Sequence, residues 1–140
     1  MKIGYFCNTT NWMHKPFHEL LDETREITEY CDQKKWDSIW FTEHHFNHEG
    51  MECCTNPLML GTDAAARTKN IRIGQAANII TFHNPIRLAE DIATLDQLSK
   101  GRVDVGVGRG IYGREAIHMN IEADLKDQAK NFRLFEETLT

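Results

Sequence analysis

The sequence predicts an α/β fold in which four strand–helix units build a parallel sheet covered by helices. Four short apolar runs, at 2–7, 38–41, 71–80 and 103–107, alternate with helical patterns along the 140 residues. The runs begin 32 to 36 residues apart, which is the spacing of consecutive βα units. Strands this apolar are typical of parallel sheets buried on both faces. Both a doubly wound sheet and a (β/α)8 barrel fit this pattern, which does not separate the two.

The first three helices have recognisable starts. Pro16 lies near the first turn of helix one, where a missing N–H costs nothing. Helices two and three both open with Asn-Pro, at Asn56-Pro57 and Asn84-Pro85, which is an asparagine cap followed by proline at the first helical position. The apolar positions predicted to face inward are Phe17, Leu20, Leu21, Ile27 and Tyr30 in helix one and Leu88, Ile92, Leu95 and Leu98 in helix three.

The third and fourth units follow each other closely. Helix three is predicted to end at Gly101, with Lys100 and Arg102 beside its negative end. After strand four, residues 113–122 lack a regular pattern and are predicted to be irregular, whereas 126–140 are predicted to be helical. Four units are about half of the ~250 residues that a closed barrel needs. We therefore expect one domain over 1–140, cut short at its carboxyl end.

Composition and charge exclude several classes of partner. The net charge of −5, from 16 basic and 21 acidic residues, leaves no basic patch for nucleic acid. No apolar run approaches the ~18 residues of a membrane span, and the start of the chain enters a strand rather than a signal peptide. We expect a cytoplasmic protein that binds neither nucleic acid nor membrane. Four cysteines lack metal-type spacing and are interpreted as reduced thiols: Cys7, Cys31, Cys53 and Cys54.

The second apolar run leads directly into two adjacent histidines, His44 and His45. Successive strand residues face opposite sides, so only one of the two imidazoles can point the same way as Trp40 and Thr42. One functional histidine is therefore favoured over a clamp of two. Because α/β enzymes place their chemistry at the carboxyl ends of parallel strands, and imidazole exchanges protons near neutral pH, this histidine is a candidate acid or base.

The same segment contains several residues of the types that bind metals. Glu43, His44, His45, His48 and Glu49 lie close together in sequence. Their order is not H-E-x-x-H, and a loop that follows a strand does not align two histidines on one face. We therefore do not expect a metal site. The alternative to a functional histidine is a structural one, with one imidazole hydrogen-bonded in the core and the others in solvent.

A glycine-rich turn follows the fourth strand. Residues 108–113, G-R-G-I-Y-G, fit the G-x-G-x-x-G pattern of a dinucleotide-binding turn. That turn would open a helix at once and carry an acidic ribose ligand about 20 residues on, which the predicted irregular segment does not favour. The glycines still allow close approach of the backbone, and Arg109 is well placed to meet a phosphate or another anion. A surface arginine in a tight turn is the alternative.

Five segments taken together resemble the bacterial luciferase family of flavin-dependent monooxygenases. They occur in the same order and at similar spacing over the whole of 1–140, and the most specific are N-P-I-R-L-A-E-D at 84–91 and L-D-Q-L-S-K-G-R at 95–102. The others are W-F-T-E-H-H-F at 40–46, I-G-Q-A-A at 73–77 and G-R-G-I-Y at 108–112. The resemblance implies the N-terminal half of a (β/α)8 TIM barrel that uses FMN and dioxygen.

The resemblance also implies roles for particular residues. His44 would lie by the flavin as acid or base, and His45 would support it. Ala76 and Ala77 would form a non-proline cis peptide packed beneath the isoalloxazine ring, where two small residues let the ring approach. Phe6, at the end of strand one, would line the flavin pocket.

At the glycine-rich turn, the resemblance assigns Gly108 and Arg109 to cofactor binding. Arg109 would help to hold the FMN phosphate, which agrees with the anion argument above. The catalytic luciferase subunit has a reactive cysteine where this chain has Gly108, and this difference weighs against light emission and a long-chain aldehyde substrate. The non-catalytic luciferase subunit lacks the two-histidine pair and the Arg-Gly turn, and this chain has both.

The implied function is oxygenation of a small organic substrate by reduced FMN and dioxygen through a peroxyflavin. A separate flavin reductase would supply the reduced FMN, and the protein would form a homodimer or a heterodimer. Two alternatives stay open. One keeps the barrel but uses deazaflavin F420 for hydride transfer, and the other is a flavin-binding or partner subunit without catalysis, with helices two and three as its dimer surface.

Overall fold

Four parallel strands form one sheet in chain order. The computed structural model describes residues 1–47 and 52–140, so His48 and Glu49 lie outside the described residues. In a doubly wound sheet the strand order reverses at a switch point, whereas strands that pair in chain order suit a barrel. The strands are β1 (Gly4–Cys7), β2 (Ser38–Phe41), β3 (Arg72–Ile79) and β4 (Val103–Gly108), and each pairs with the next.

The helices lie between the strands and after the last one. Asn56 and Asn84 cap α2 and α3 as predicted, because their side-chain oxygens accept hydrogen bonds from the backbone N–H of Met59 at 2.9 Å and of Arg87 at 3.1 Å. The helices are α1 (Phe17–Gln33), α2 (Pro57–Arg67), α3 (Pro85–Ser99), α4 (Gly113–Met119) and α5 (Gln128–Leu139), with short 3-10 turns at Ile80–Phe82 and Ile121–Ala123.

The core lies between the sheet and α1 to α3. Alternate residues of β2 and β3 point toward the helices, and each of these buried aliphatic and aromatic side chains contributes about 1.5–3 kcal/mol. On the opposite face Trp40 covers Gly74, where an added Cβ would come within 2.2 Å of the indole ring. Fully buried members of the core are Ile39, Phe41, Ile71, Ile73 and Leu95.

Three residues predicted to face inward are exposed: Phe17, Tyr30 and Leu98. The inward face of α1 instead includes Thr24 and Thr28, whose hydroxyls donate hydrogen bonds to carbonyl oxygens four residues earlier at 2.8 and 2.7 Å. Threonines that satisfy their own hydroxyls can be buried, and a count of apolar residues overlooks them.

The prediction that 113–122 is irregular was wrong. The segment forms α4 and then the 3-10 turn at Ile121–Ala123. Because α4 has seven residues and buries only Glu115 and Ala116, it has no apolar periodicity that a sequence pattern could reveal. The helix predicted over 126–140 is present as α5.

The end of α3 confirms another prediction. Lys100 and Gly101 have positive φ values of 60° and 80°, and their N–H groups bond back to carbonyls of the last turn. This left-handed ending turns the chain straight into β4.

Arg102 ties the amino-terminal edge of the sheet together. Its side chain is partly buried, and its guanidinium spans α2, α3 and the start of β3. It donates hydrogen bonds of 2.7 to 3.2 Å to the backbone carbonyls of Ala65, Thr68, Ile71 and Ser99 and to the Thr68 hydroxyl.

Asp32, at the end of α1, makes a similar connection. Its carboxylate accepts hydrogen bonds from the backbone N–H groups of Lys69, Asn70 and Ile71 at 2.8 to 3.1 Å. Although burial alone would raise the pKa of Asp32, these three hydrogen bonds hold it below its ordinary value. The turn between α2 and β3 is thereby fixed to α1.

All four cysteines are free, as predicted. Burial raises the pKa of the Cys54 thiol to about 12, so it stays protonated and unreactive. Among the described residues, no helix has both the length and the apolar character needed to cross a membrane.

Candidate active site

The residues predicted for the site all lie at the carboxyl edge of the sheet, which is the side on which the four parallel strands end. Phe6 is in β1 with an exposed side chain, and the two histidines follow β2. Ala76 and Ala77 are in the second half of β3. Because the four strands are parallel and each pairs with the next, these residues reach the same edge, together with Gly108 at the end of β4 and Arg109 just after it.

The peptide bond between Ala76 and Ala77 is cis, as the resemblance implied. It coincides with a register shift in the pairing of β3 with β4, between Gln75 and Asn78. The neighbouring strand approaches closely here, since a Cβ on Gly106 would lie 2.2 Å from the Gln75 carbonyl oxygen. The cis bond therefore lies in a stretch lined by small residues.

His44 lies between two carboxylates. Its Nδ1 is 3.4 Å from Glu115 Oε1 and its Nε2 is 3.5 Å from Glu52 Oε1. Both separations are longer than a good hydrogen bond between nitrogen and oxygen. The ring also packs at 5.6 Å from that of Tyr112, whose hydrogen bond to Glu52 raises the pKa of the phenol. His44 is thus enclosed but loosely held.

Several polar atoms around His44 are buried without a hydrogen-bond partner among residues 1–47 and 52–140. They are His44 Nδ1, Glu52 Oε2 and Glu115 Oε2. A buried polar atom in this state costs about 1–3 kcal/mol, so folded proteins rarely leave several together without a function. The cluster is ready to accept or donate hydrogen bonds to a bound molecule.

His45 has a different partner. Its Nε2 lies 3.0 Å from Glu43 Oε1, and its backbone N–H donates to Glu115 Oε1 at 2.7 Å. The two imidazoles therefore contact separate carboxylates, as the alternation along a strand predicts.

Glu43 is the most connected residue of the edge, and it was considered in the sequence only as a metal ligand. Its side chain is 1% exposed. Besides His45, it accepts hydrogen bonds from His83 Nε2 at 2.8 Å and from the Ile79 N–H at 2.7 Å. Burial alone would raise the pKa of Glu43, but the hydrogen bonds from the two histidines hold it below its ordinary value.

Sequence reasoning therefore missed four members of the site: Glu43, Glu52, His83 and Glu115. A carboxylate within the apolar W-F-T-E-H-H run was a usable signal for Glu43, because an acid that follows a buried strand needs partners. Glu115 and Glu52 come from segments without regular patterns, and only the fold brings them to His44.

Arg109 points toward α5. Its Nη1 lies 3.1 Å from Asn131 Oδ1 and 3.4 Å from Gln128 Oε1, and the guanidinium packs over Phe132 at 5.5 Å from the ring centre. Within the described residues Arg109 makes no ion pair with a carboxylate. Its charge is oriented by neutral amides and is available to an anion.

Comparison with known proteins identifies the family. Residues 1–140 match the family model described as luciferase-like monooxygenase. The chain belongs to this family. The predicted family and the predicted α/β fold of its barrels are therefore confirmed.

Two curated relatives are similar to this chain. The oxygenase component of a flavin-dependent trigonelline monooxygenase from Acinetobacter baylyi is 35% identical over 97 residues, which are 69% of this chain and 26% of the relative. The beta chain of alkanal monooxygenase from Photorhabdus laumondii is 40% identical over 107 residues, or 76% of this chain and 32% of the relative. This chain spans about a quarter to a third of the length of these curated relatives.

Among solved structures, the chain resembles the oxygenating constituent of 3,6-diketocamphane monooxygenase from Pseudomonas putida, in complex with FMN. The TM-score is 0.88 at 25% identity, and the match covers 99% of this chain and 37% of that one.

Proposed function

We propose that this chain is part of a flavin-dependent monooxygenase that uses reduced FMN and dioxygen to oxygenate a small organic substrate. The observation that carries the proposal is that His44 lies, partly buried, between Glu52 and Glu115, and that polar atoms of this cluster lack hydrogen-bond partners among the described residues. Two relatives named for oxygenation, one of them in complex with FMN, support it. Residues 1–140 would belong to one luciferase-like domain.

The residues at the edge fit a flavin. Ala76, Ala77 and Gly108 offer small surfaces that a flat ring can approach, and the exposed Phe6 offers an apolar wall. Arg109 has no carboxylate partner among the residues described, so its charge suits a phosphate. Reduced FMN, when bound, would supply the electrons that activate dioxygen.

His44 would manage the protons of the reaction. Glu115 lies beside Nδ1 and Glu52 beside Nε2, so either nitrogen can hold a proton with a carboxylate nearby. The long contacts leave the ring free to exchange one of them for a hydrogen bond to a bound molecule. His45 would support this role through its backbone, which fixes Glu115 Oε1.

A separate flavin reductase would supply reduced FMN. The trigonelline relative is named as an oxygenase component, which supports this division of labour. We also propose that the protein acts as a homodimer or a heterodimer.

The experiment that tests the function compares cofactors and then measures oxygen uptake in the full chain. We expect reduced FMN to bind more tightly than reduced F420, and oxygen uptake to be coupled to product formation with an accepted substrate. Binding of F420 alone would contradict the proposal and favour hydride transfer.

A second candidate is a partner subunit without catalysis. Its support is the 40% identity with a relative that is named as one chain of an enzyme, the beta chain of alkanal monooxygenase. It predicts flavin binding without oxygen uptake for any substrate, so the same experiment separates the two.

A further inference from the structure

One buried carboxylate bridges two histidines at the carboxyl edge, and the chemistry proposed above does not use it. Glu43 Oε1 is shared by His45 Nε2 at 3.0 Å and His83 Nε2 at 2.8 Å. Glu43 Oε2 is held by the Ile79 N–H at 2.7 Å, so the carboxylate cannot rotate without losing that bond. One oxygen atom therefore joins the two imidazoles.

The bridge runs from the interior to the surface. The His45 side chain is 11% exposed and packs edge-on against Phe82 at 6.1 Å, whereas the His83 side chain is 33% exposed. Solvent can thus reach His83 far more easily than His45. The geometry is that of a short hydrogen-bonded chain with its open end at His83.

The charged groups around His83 favour its protonated form. The hydrogen bond to Glu43 raises the pKa of His83 above its ordinary value of 6.5, against burial, which lowers it, and Asp91 of α3 adds to the increase. Glu115 accepts the His45 backbone N–H, and the neutral Cys54 thiol faces Glu43. His83 can therefore hold a proton near neutral pH.

We propose that Glu43 and His83 form a proton path that connects His45 with solvent. A doubly protonated His45 gives its Nε2 proton to Glu43 Oε1, the proton passes to His83 Nε2 when that nitrogen is unprotonated, and His83 releases its Nδ1 proton to water, which leaves both imidazoles neutral. Each N–H or O–H bond that breaks is matched by one that forms, and no electron moves. The path rests on the proposed function only for the use of the proton, because its geometry involves no flavin.

The test measures how fast the ring protons of His45 exchange with water, by NMR of the full chain labelled with 15N-histidine and free of flavin. His83→Gln is the decisive variant, since the amide can still donate to Glu43 but cannot take up and release a proton. His18→Gln, on the exposed face of α1, is the matched control.

We expect exchange at His45 Nε2 to slow by at least about tenfold in His83→Gln and to stay unchanged in His18→Gln. An unchanged rate in a folded His83→Gln protein would overturn the path. A ring that only positions its neighbour would change the His45 signal without changing its exchange rate, so that outcome also counts against the proposal.

Turnover gives a second readout. If the path serves oxygenation, His83→Gln lowers turnover, and free imidazole added to the solution restores part of it by replacing the lost base. Lost turnover without rescue would contradict the path. If exchange at His45 is slowed in His83→Gln but the wild-type protein oxygenates no substrate, the path is supported and the proposed function is contradicted instead.

Discussion

Asp32 and Arg102 at the amino edge of the sheet differ from the cluster around His44 at the carboxyl edge in how their polar groups are paired. At the amino edge, Asp32 and Arg102 make eight hydrogen bonds to neighbouring loops and helices. At the carboxyl edge, His44, Glu52 and Glu115 have buried atoms without hydrogen-bond partners in the part of the chain that the structure describes. In parallel α/β folds the amino edge serves stability and the carboxyl edge chemistry, and here the hydrogen bonds follow that division.

The largest effect on stability is expected from Arg102→Ala. This change removes the donor of five hydrogen bonds and leaves partly buried carbonyl oxygens unsatisfied, so the free energy of unfolding should fall by about 3–5 kcal/mol. Urea unfolding measures the loss. The control is Arg87→Ala, whose side chain is 73% exposed and should cost less than about 1 kcal/mol. Equal losses of unfolding free energy in the two variants would mean that the hydrogen bonds of Arg102 do not stabilise the amino edge.

Arg109→Gln should weaken FMN binding at the carboxyl edge by about tenfold or more, because a cation that contacts a phosphate contributes about 1.5–3 kcal/mol. Glutamine keeps a polar side chain at this position and removes the charge. Titration with FMN and with riboflavin, which lacks the phosphate, separates the causes. A similar loss for riboflavin would contradict a phosphate role.

A matched pair of amide substitutions compares the two edges directly. Asp32→Asn should cost about 1–2 kcal/mol of unfolding free energy, since all three of its N–H donors lose a charged acceptor. Glu115→Gln should change it by less than about 1 kcal/mol, because it removes a buried charge that is only partly paired. The reverse order would break the contrast between the edges.

The smallest effect concerns pH. Because the pKa of His83 is raised on folding, its ion pair with Glu43 stabilises the fold fully below 6.5, and this contribution is lost as the pH rises through the higher, folded pKa. His83→Gln should thus be less stable than wild type by under about 1 kcal/mol at about pH 5.5 and nearly equal to it at about pH 9. Unfolding in urea at both values checks the sign.

The sequence predicted the parts of this molecule that depend on local pattern. The βα spacing, the Asn56 and Asn84 caps and the end of helix three at Gly101 all depend on nearby residues. The short α4 was missed because it has no apolar stripe.

The site was predictable only in part. His44 and His45 follow an apolar strand and could be found from the sequence, whereas the cis bond at Ala76 was expected from family resemblance alone. Glu115 could not have been placed beside His44, because 71 positions separate them and only the sheet brings them together.

His44 is the residue on which the proposed chemistry depends most directly. We would measure substrate oxygenation and the free energy of unfolding in the full chain for wild type, His44→Ala and the surface control His18→Ala. Because His44 is loosely held and would manage the protons, oxygenation should fall by about 10²–10⁴-fold in His44→Ala while the unfolding free energy changes by less than about 1 kcal/mol. Unchanged oxygenation in His44→Ala would contradict the central claim that the unpartnered groups of the carboxyl edge are the active site.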